Sequence, residues 1–132
     1  MRFLLDTHSF LWAVFDPEKL SRSARSTITD PDNDILVSVI TFWEISLKYA
    51  LGKIELEGIG PDDLPRIAEE MTLEILYITP NEAATFHKLP RLAHKDPFDR
   101  FLIWQAIQHK INLISKDRAF MAYKKYGLKI YW

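Results

Sequence analysis

The segment Phe3-Leu-Leu-Asp-Thr-His-Ser-Phe-Leu-Trp-Ala-Val-Phe15 joins an apolar run, an acid and a stretch with helical spacing. The run Phe3–Leu5 has no polar alternation, which is typical of a strand buried on both faces of a sheet. Asp6 follows directly, and the spacing predicts a helix over about Ser9 to Phe15. The same order of strand and helix recurs along the chain.

Four more apolar runs follow, each bounded by polar or turn residues. The further predicted strands are Ile35–Val39, Leu73–Ile78, Ile111–Ile114 and Leu128–Tyr131. The further predicted helices are Ser21–Thr29, Thr41–Leu51, Pro61–Met71, Asn81–Leu89, Pro97–His109 and the short Arg118–Tyr126. Because the connections are long enough to hold helices, we expect a three-layer α/β fold with a mainly parallel sheet.

Composition narrows the class of protein. The chain has 132 residues, of which 48% are hydrophobic and 27% charged, and we predict a single domain over residues 1–132. The absence of cysteine excludes thiolate zinc sites, iron–sulfur clusters and cysteine nucleophiles, and it favours a cytoplasmic location. No apolar run reaches the roughly 20 residues of a membrane helix, and Asp6 ends the first run too early for a secretion signal. With a net charge of −1, any contact with nucleic acid must be local.

Acidic residues lie where such a sheet places its ligand site. Asp6 follows the first predicted strand, and Asp117 follows the fourth. Glu44 and Asp99 lie near the starts of two predicted helices. Ligands of open α/β sheets bind beyond the carboxyl ends of the strands, so we expect these four carboxylates to converge there.

Convergence of four carboxylates favours a metal site. Partly desolvated carboxylates repel one another, and a bound cation relieves the repulsion. Oxygen ligands suit Mg²⁺ or Mn²⁺, which commonly bridge carboxylates to substrate phosphates. The chemistry indicated is phosphodiester hydrolysis, in which a metal ion activates water and stabilises the leaving oxygen. A histidine zinc site is disfavoured because no H-x-x-x-H pair is present; for His8 and His94, beside the acids, we expect surface or supporting roles.

Helix capping is the alternative explanation for these acids. Thr41 to Glu44 fits a capping box, and the segment Asp96–Asp99 fits an N-cap, an N1 proline and an N3 acid. Asp117 fits the N-cap of the helix that follows it. Asp6 fits a cap only if a helix begins directly after it.

Hydroxyl, acidic and basic side chains near the four acids complete the predicted site. The residues expected to support the acids by hydrogen bonds, directly or through water, are Thr7, Ser38, Thr41, Asp96 and Ser115, with turn or cap duty as the alternative. The residues expected to attract substrate phosphates are Lys48, Lys95, Arg100, Lys116 and Arg118. An i,i+4 pair with Glu44 is the alternative for Lys48, and ordinary solvated charge is the alternative for the others. The helical spacing of Trp12, Phe42, Trp43, Phe98 and Trp104 favours core or interface over base stacking.

At these residues the sequence resembles a PIN domain, and in particular the VapC-type ribonuclease toxins of toxin–antitoxin pairs. The matching segments are Leu4–Trp12, Ser38–Lys48, His94–Ile103 and Leu113–Phe120. Each segment alone is weakly specific, but four in this order over nearly the whole chain are specific.

The resemblance implies a parallel sheet of order 3-2-1-4-5 and Mg²⁺- or Mn²⁺-dependent endonuclease activity on RNA. It also implies a homodimer and inhibition by a small cognate antitoxin. The acidic quartet of the family maps onto Asp6, Glu44, Asp99 and Asp117. In one departure, Thr41 replaces a frequent serine and keeps the hydroxyl. In the other, Trp104 replaces a frequent alanine, which affects helix packing or the dimer contact.

Three hypotheses remain. In the first, the protein is a metal-dependent endoribonuclease in which Asp6, Glu44 and Asp99 hold the principal ion, while Asp117 completes the site or holds a second ion. In the second, it is a non-catalytic binding module that keeps the fold, takes up no metal and acts through a protein or RNA partner. In the third, it is a phosphatase with Asp6 as nucleophile, which the missing second acid of a D-x-D pair disfavours.

Overall fold

The computed structural model describes residues 1–132 and contains a five-stranded, all-parallel sheet in the order β3-β2-β1-β4-β5. The strands are β1 (Arg2–Leu5), β2 (Asp34–Ser38), β3 (Glu74–Leu76), β4 (Asn112–Ile114) and β5 (Lys129–Tyr131). The predicted α/β class, the parallel sheet and the strand order are therefore confirmed.

Helices occupy both sides of this sheet. The α-helices are α1 (Thr7–Phe15), α2 (Arg22–Thr29), α3 (Val39–Ala50), α4 (Leu64–Glu70), α5 (Pro80–Thr85) and α6 (Pro97–His109). Short 3₁₀ helices span Pro17–Lys19, Pro61–Asp63, Phe86–Lys88 and Arg118–Tyr126. None of the helices combines the length and the apolar character needed to cross a bilayer.

Strand β1 lies at the centre of the sheet, between β2 and β4. Its successive side chains point into opposite layers, as the pleat requires. Leu4 belongs to a buried cluster with α6, whereas Phe3 and Leu5 belong to a second cluster with α1 and α4. Two apolar layers explain why the strand sequences lack polar alternation. The central position of β1 places its carboxyl end, and hence Asp6, in the middle of one edge of the sheet.

The start of α3 differs from the prediction. The expected helix began at Thr41 with a capping box to Glu44, but α3 begins at Val39 and its N-cap is Ser38. The Ser38 Oγ accepts the N–H of Ile40 at 3.1 Å, so the helix starts directly after β2. The predicted Thr41–Glu44 capping box is therefore wrong, and Glu44 lies in the second turn, where no helix end needs its carboxylate.

Trp104 packs within this chain. It is 7% exposed, and its Nε1 donates a hydrogen bond to the Glu82 carbonyl at 3.1 Å. The tryptophan thus joins α6 to α5. Of the two roles considered for Trp104, the structure shows the one in helix packing. Among the other predicted core or interface aromatics, Trp43 is 60% exposed and its ring contacts the Phe98 ring edge to face at 5.2 Å.

A buried polar network, absent from the sequence analysis, also joins α5 to α6. Thr79 and Glu82 form a capping box at the start of α5. The Glu82 carboxylate is buried and also contacts His109 and the Nε2 of Gln105. Ser38 donates its hydroxyl to the Gln105 Oε1 at 2.6 Å and so extends the network to the end of β2.

We predict that Glu82→Ala lowers the free energy of unfolding by about 3 kcal/mol, because it leaves buried polar partners without an acceptor. Urea denaturation followed by circular dichroism measures the loss. The control is Glu74→Ala, which removes an exposed ion pair with Arg2 and is expected to cost at most about 1 kcal/mol. Equal losses for the two variants would contradict this assignment.

Candidate functional site

Asp6 combines a capping role with deep burial. It is the N-cap of α1, and its Oδ1 accepts the N–H of Ser9 at 2.8 Å. Because α1 begins at Thr7, the capping alternative for Asp6 is confirmed, yet the residue is only 4% exposed. Burial raises the pKa of the Asp6 carboxyl, and hydrogen bonds from Ser115 and Ser9 oppose the rise only in part. A simple cap has no need of this desolvation.

Glu44 reaches the same edge of the sheet from α3 and is 2% exposed. Thr7 donates its hydroxyl to the Glu44 Oε1 at 2.6 Å, and Thr41 Oγ1 lies 3.3 Å from Thr7 Oγ1. Lys48, one helical turn later, contacts the Glu44 Oε2. The structure thus gives Thr7 its predicted orienting contact and Lys48 the i,i+4 pairing that was its alternative.

Asp99 lies in the first turn of α6, where Asp96 is the N-cap and accepts the N–H groups of Phe98 and Asp99. The predicted cap, N1 proline and N3 acid are all present. The carboxylate of Asp99 does more than interact with the positive end of the helix dipole, because its Oδ2 also lies 3.0 Å from the His94 Nε2. Burial raises the pKa of Asp99 to about 6, and the negative charges of Asp96 and Glu44 add to the rise while His94 opposes it.

Asp117 follows β4 and is exposed. Its Oδ1 accepts the N–H of Ala119 at 2.9 Å, so the predicted capping contact is present here too. Its own N–H donates to the Ser115 Oγ at 3.1 Å, and the Ser115 hydroxyl also lowers the pKa of the Asp6 carboxyl. The bond from Asp117 to Ser115 is a local turn contact, which was the alternative given for Ser115.

Two of the four acids, Asp99 and Asp117, form a compact cluster with His94, and Asp6 and Glu44 lie beside it. Donor atoms of His94, Asp99 and Asp117 all lie within 4.8 Å of one another. Asp6 and Asp117 line one cavity of about 220 Å³, and the charge of Glu44 acts on Asp99. These oxygen donors, two of them nearly fully buried, fit a hard divalent cation. Asp6 and Asp117 cap helices and also line the same cavity, so capping does not exclude a role in the site.

Two predicted site residues are engaged elsewhere. Ser38 was expected to orient the carboxylates, but it caps α3 and donates to Gln105. Arg100 was expected to attract phosphate, but its Nη2 donates to the carbonyls of Leu89 and Pro90 and its guanidinium lies over the Phe86 ring. Arg100 therefore holds the segment before α6. Lys95, Lys116 and Arg118 are exposed and retain charges available to an anion.

His94 is the residue that sequence analysis underestimated. No H-x-x-x-H spacing marks it, because its partners Asp99 and Asp117 come from a helix start and a strand end. Its sequence position five residues before Asp99 was the only available signal. In the structure its ring also packs edge to face against Phe120 at 5.4 Å, which holds the imidazole at the edge of the acid cluster.

A family model for the PIN domain matches residues 3–126. This match spans more than half of the chain, and all four acids fall within it. The chain belongs to the PIN domain family.

Among curated proteins, Ribonuclease VapC22 of Mycobacterium tuberculosis (strain ATCC 25618 / H37Rv) is 31% identical over 121 residues, which is 92% of this chain and 91% of the relative. Among solved structures, VapBC2 from Rickettsia felis bound to a promoter DNA fragment superposes with a TM-score of 0.68 at 16% identity, covering 99% of this chain and 98% of the other. VapBC-5 from Mycobacterium tuberculosis gives a TM-score of 0.59 at 17% identity, covering 98% and 96%. At these identities the structural matches support the fold.

The raised pKa of Asp99 predicts a pH dependence of the metal-free protein. Below pH about 4 the group is protonated in the folded and unfolded states, whereas between pH 4 and 6 only the folded state keeps the proton. The free energy of unfolding should therefore fall as pH rises through this interval. The asparagine of Asp99→Asn does not titrate, so the free energy of unfolding of this variant, relative to that of the parent, should increase by roughly 2 kcal/mol as the pH rises from 4.5 to 7.

Urea denaturation in EDTA at several pH values measures this difference. Asp32→Asn, which changes an exposed turn residue outside the acid cluster, serves as the control and should show no such trend. A stability difference between Asp99→Asn and the parent that does not vary with pH would contradict the predicted titration.

Proposed function

We propose that this protein is a metal-dependent endoribonuclease that hydrolyses RNA phosphodiester bonds and acts as the toxin of a toxin–antitoxin pair. The observation that carries the proposal is the cluster of Asp99, Asp117 and His94 at the carboxyl edge of the sheet, next to the buried acids Asp6 and Glu44. The family membership and the ribonuclease name of the 31% identical relative support the same activity.

Asp6, Glu44 and Asp99 are proposed to hold the principal ion, with Asp117 completing the site or holding a second one. Mg²⁺ or Mn²⁺ bound there would supply an activated water and stabilise the leaving oxygen of the RNA. Thr7 holds Glu44 in place through its hydrogen bond, which fixes one side of the donor set. Ser115 holds the backbone at Asp117 by accepting its N–H, and its hydroxyl also lowers the pKa of Asp6.

His94 is proposed as a supporting residue rather than a ligand. Its Nε2 contacts one oxygen of Asp99 and so fixes the orientation of that carboxylate, as an outer partner of a metal ligand does. His94 is also close enough to the cluster to exchange a proton with a group bound there.

Basic side chains on one side of the acids are proposed to bind the RNA backbone. A cavity of about 250 Å³ is lined by Asp117 together with Lys116, Arg118 and Lys124. Lys116 and Asp117 also line the 220 Å³ cavity that contains Asp6, so the basic surface is continuous with the acids. Lys95 is proposed to add a charge on the other side. Phosphates drawn along this surface would reach the metal site despite a net charge of −1.

Protein partners are part of the proposal. The family resemblance implies a small antitoxin and a homodimer, and structural neighbours are VapBC complexes. Trp43 and Leu47 on α3 and Leu51 at its C-cap form an exposed apolar stripe that is available for such contacts. The cytoplasmic location stays a prediction.

Asp6→Asn is predicted to reduce RNA cleavage by at least about a thousandfold while the protein stays folded, because a metal ligand is lost where a transition-state charge must be stabilised. The apo protein should be as stable as the parent or more so, since an unfavourable buried charge is removed. Cleavage of a labelled RNA in Mn²⁺ and thermal unfolding in EDTA provide the two measurements. Asp32→Asn is the matched control and should cleave normally.

Calorimetry separates this activity from that of a binding module with the same fold. A nuclease site should take up Mn²⁺, and Asp99→Asn should abolish most of that uptake. An Asp6→Asn protein that cleaves RNA at the parent rate, or a parent protein that binds no divalent cation, would contradict the proposed function.

A further inference from the structure

Glu44 is the most fully satisfied of the site carboxylates. Its Oε1 accepts the Thr7 hydroxyl, and its Oε2 contacts the Lys48 ammonium. The Glu44 side chain is 3% exposed, whereas that of Lys48 is 30% exposed. A positive charge next to so deeply buried a carboxylate favours its ionised form, and Lys48 supplies that charge from within the chain.

The Lys48 ammonium faces other acids of the cluster as well. Besides Glu44, the negative charges of Asp96 and Asp99 act on it. Lys48 is therefore directed into the cluster rather than away from it, which an RNA-contacting lysine would not need. Its partly exposed side chain also has an open path back to solvent.

We infer that Lys48 is a built-in competitor of the metal ion, neutralising Glu44 until a divalent cation binds and then withdrawing. This inference rests on the proposed metal site. An ammonium and a divalent cation on the same carboxylate repel each other, so each weakens the binding of the other. The positive charge of Lys48 would thus stabilise the folded protein when no metal is bound. The same charge would lower the affinity of the acids for a divalent cation.

Removal of the Lys48 charge should change the affinity of the protein for Mn²⁺, whereas removal of a lysine that only binds RNA should leave that affinity unchanged. Lys48→Met should increase the affinity for Mn²⁺ by about tenfold or more, since an opposite charge at this distance changes the affinity of a carboxylate for a proton by a similar factor. The metal-free variant should melt at a lower temperature than the parent, and saturating Mn²⁺ should raise its melting temperature by a larger increment.

Calorimetric Mn²⁺ titration and thermal unfolding, both without RNA, test these expectations. Lys48→Gln, which keeps a hydrogen-bond donor without the charge, is measured in parallel so that poor packing of methionine does not decide the result. Lys53→Met is the control, because Lys53 is an exposed lysine just beyond the end of α3 that forms no ion pair, and the Mn²⁺ affinity of this variant should remain near that of the parent. In a Glu44→Gln background, Lys48→Met should bring a smaller gain in Mn²⁺ affinity than in the parent, because only the weaker influence of Lys48 on Asp99 remains.

An unchanged or weaker Mn²⁺ affinity in both Lys48 variants would overturn the inference while leaving the metal site itself intact. Loss of RNA binding with no change in Mn²⁺ affinity would also overturn it, in favour of a phosphate contact. Failure of the parent and of both variants to take up Mn²⁺ would overturn the metal site and this inference together.

Discussion

The organisation of the site depends on the cost of keeping negative charge buried at one edge of a parallel sheet. Asp6 and Glu44 are almost fully enclosed, and each is provided with hydrogen bonds that make its position tolerable. Asp99 is less enclosed but shares its surroundings with the charges of Asp96 and Glu44. The hydrogen bonds allow the protein to fold with these carboxylates buried. The carboxylates still repel one another, and a bound cation would relieve that repulsion.

The fold produces this arrangement through ordinary parallel-sheet geometry. Central strand β1 ends at Leu5, and its neighbours β2 and β4 end at the same edge, so residues from distant parts of the sequence meet there. Helix starts then add their own acids. N-capping hydrogen bonds to Asp6 and Asp117 keep the local backbone in place, so one carboxylate can cap a helix and face the site.

Much of this organisation could be predicted from the sequence, because apolar runs without alternation mark buried parallel strands and the ends of such strands mark the site. The start of α3 was misplaced because Thr41 and Glu44 have capping-box spacing, whereas the competing cap, Ser38, lay inside the predicted strand. Ser38 and Arg100 were assigned to the site by sequence proximity, yet their partners Gln105 and Leu89 are known only from tertiary packing. For the same reason the network of Glu82 and His109 and the place of His94 in the cluster could not be predicted.

The central claim is that the converging acids form one divalent cation site. Anomalous diffraction from crystals soaked in Mn²⁺ tests it most directly, because it locates the ion without reference to catalysis. The account predicts a strong peak bounded by the carboxylates of Asp6, Glu44 and Asp99, within about 2.5 Å of their oxygens. A peak elsewhere on the molecule, or none at this edge of the sheet in soaked crystals, would contradict it.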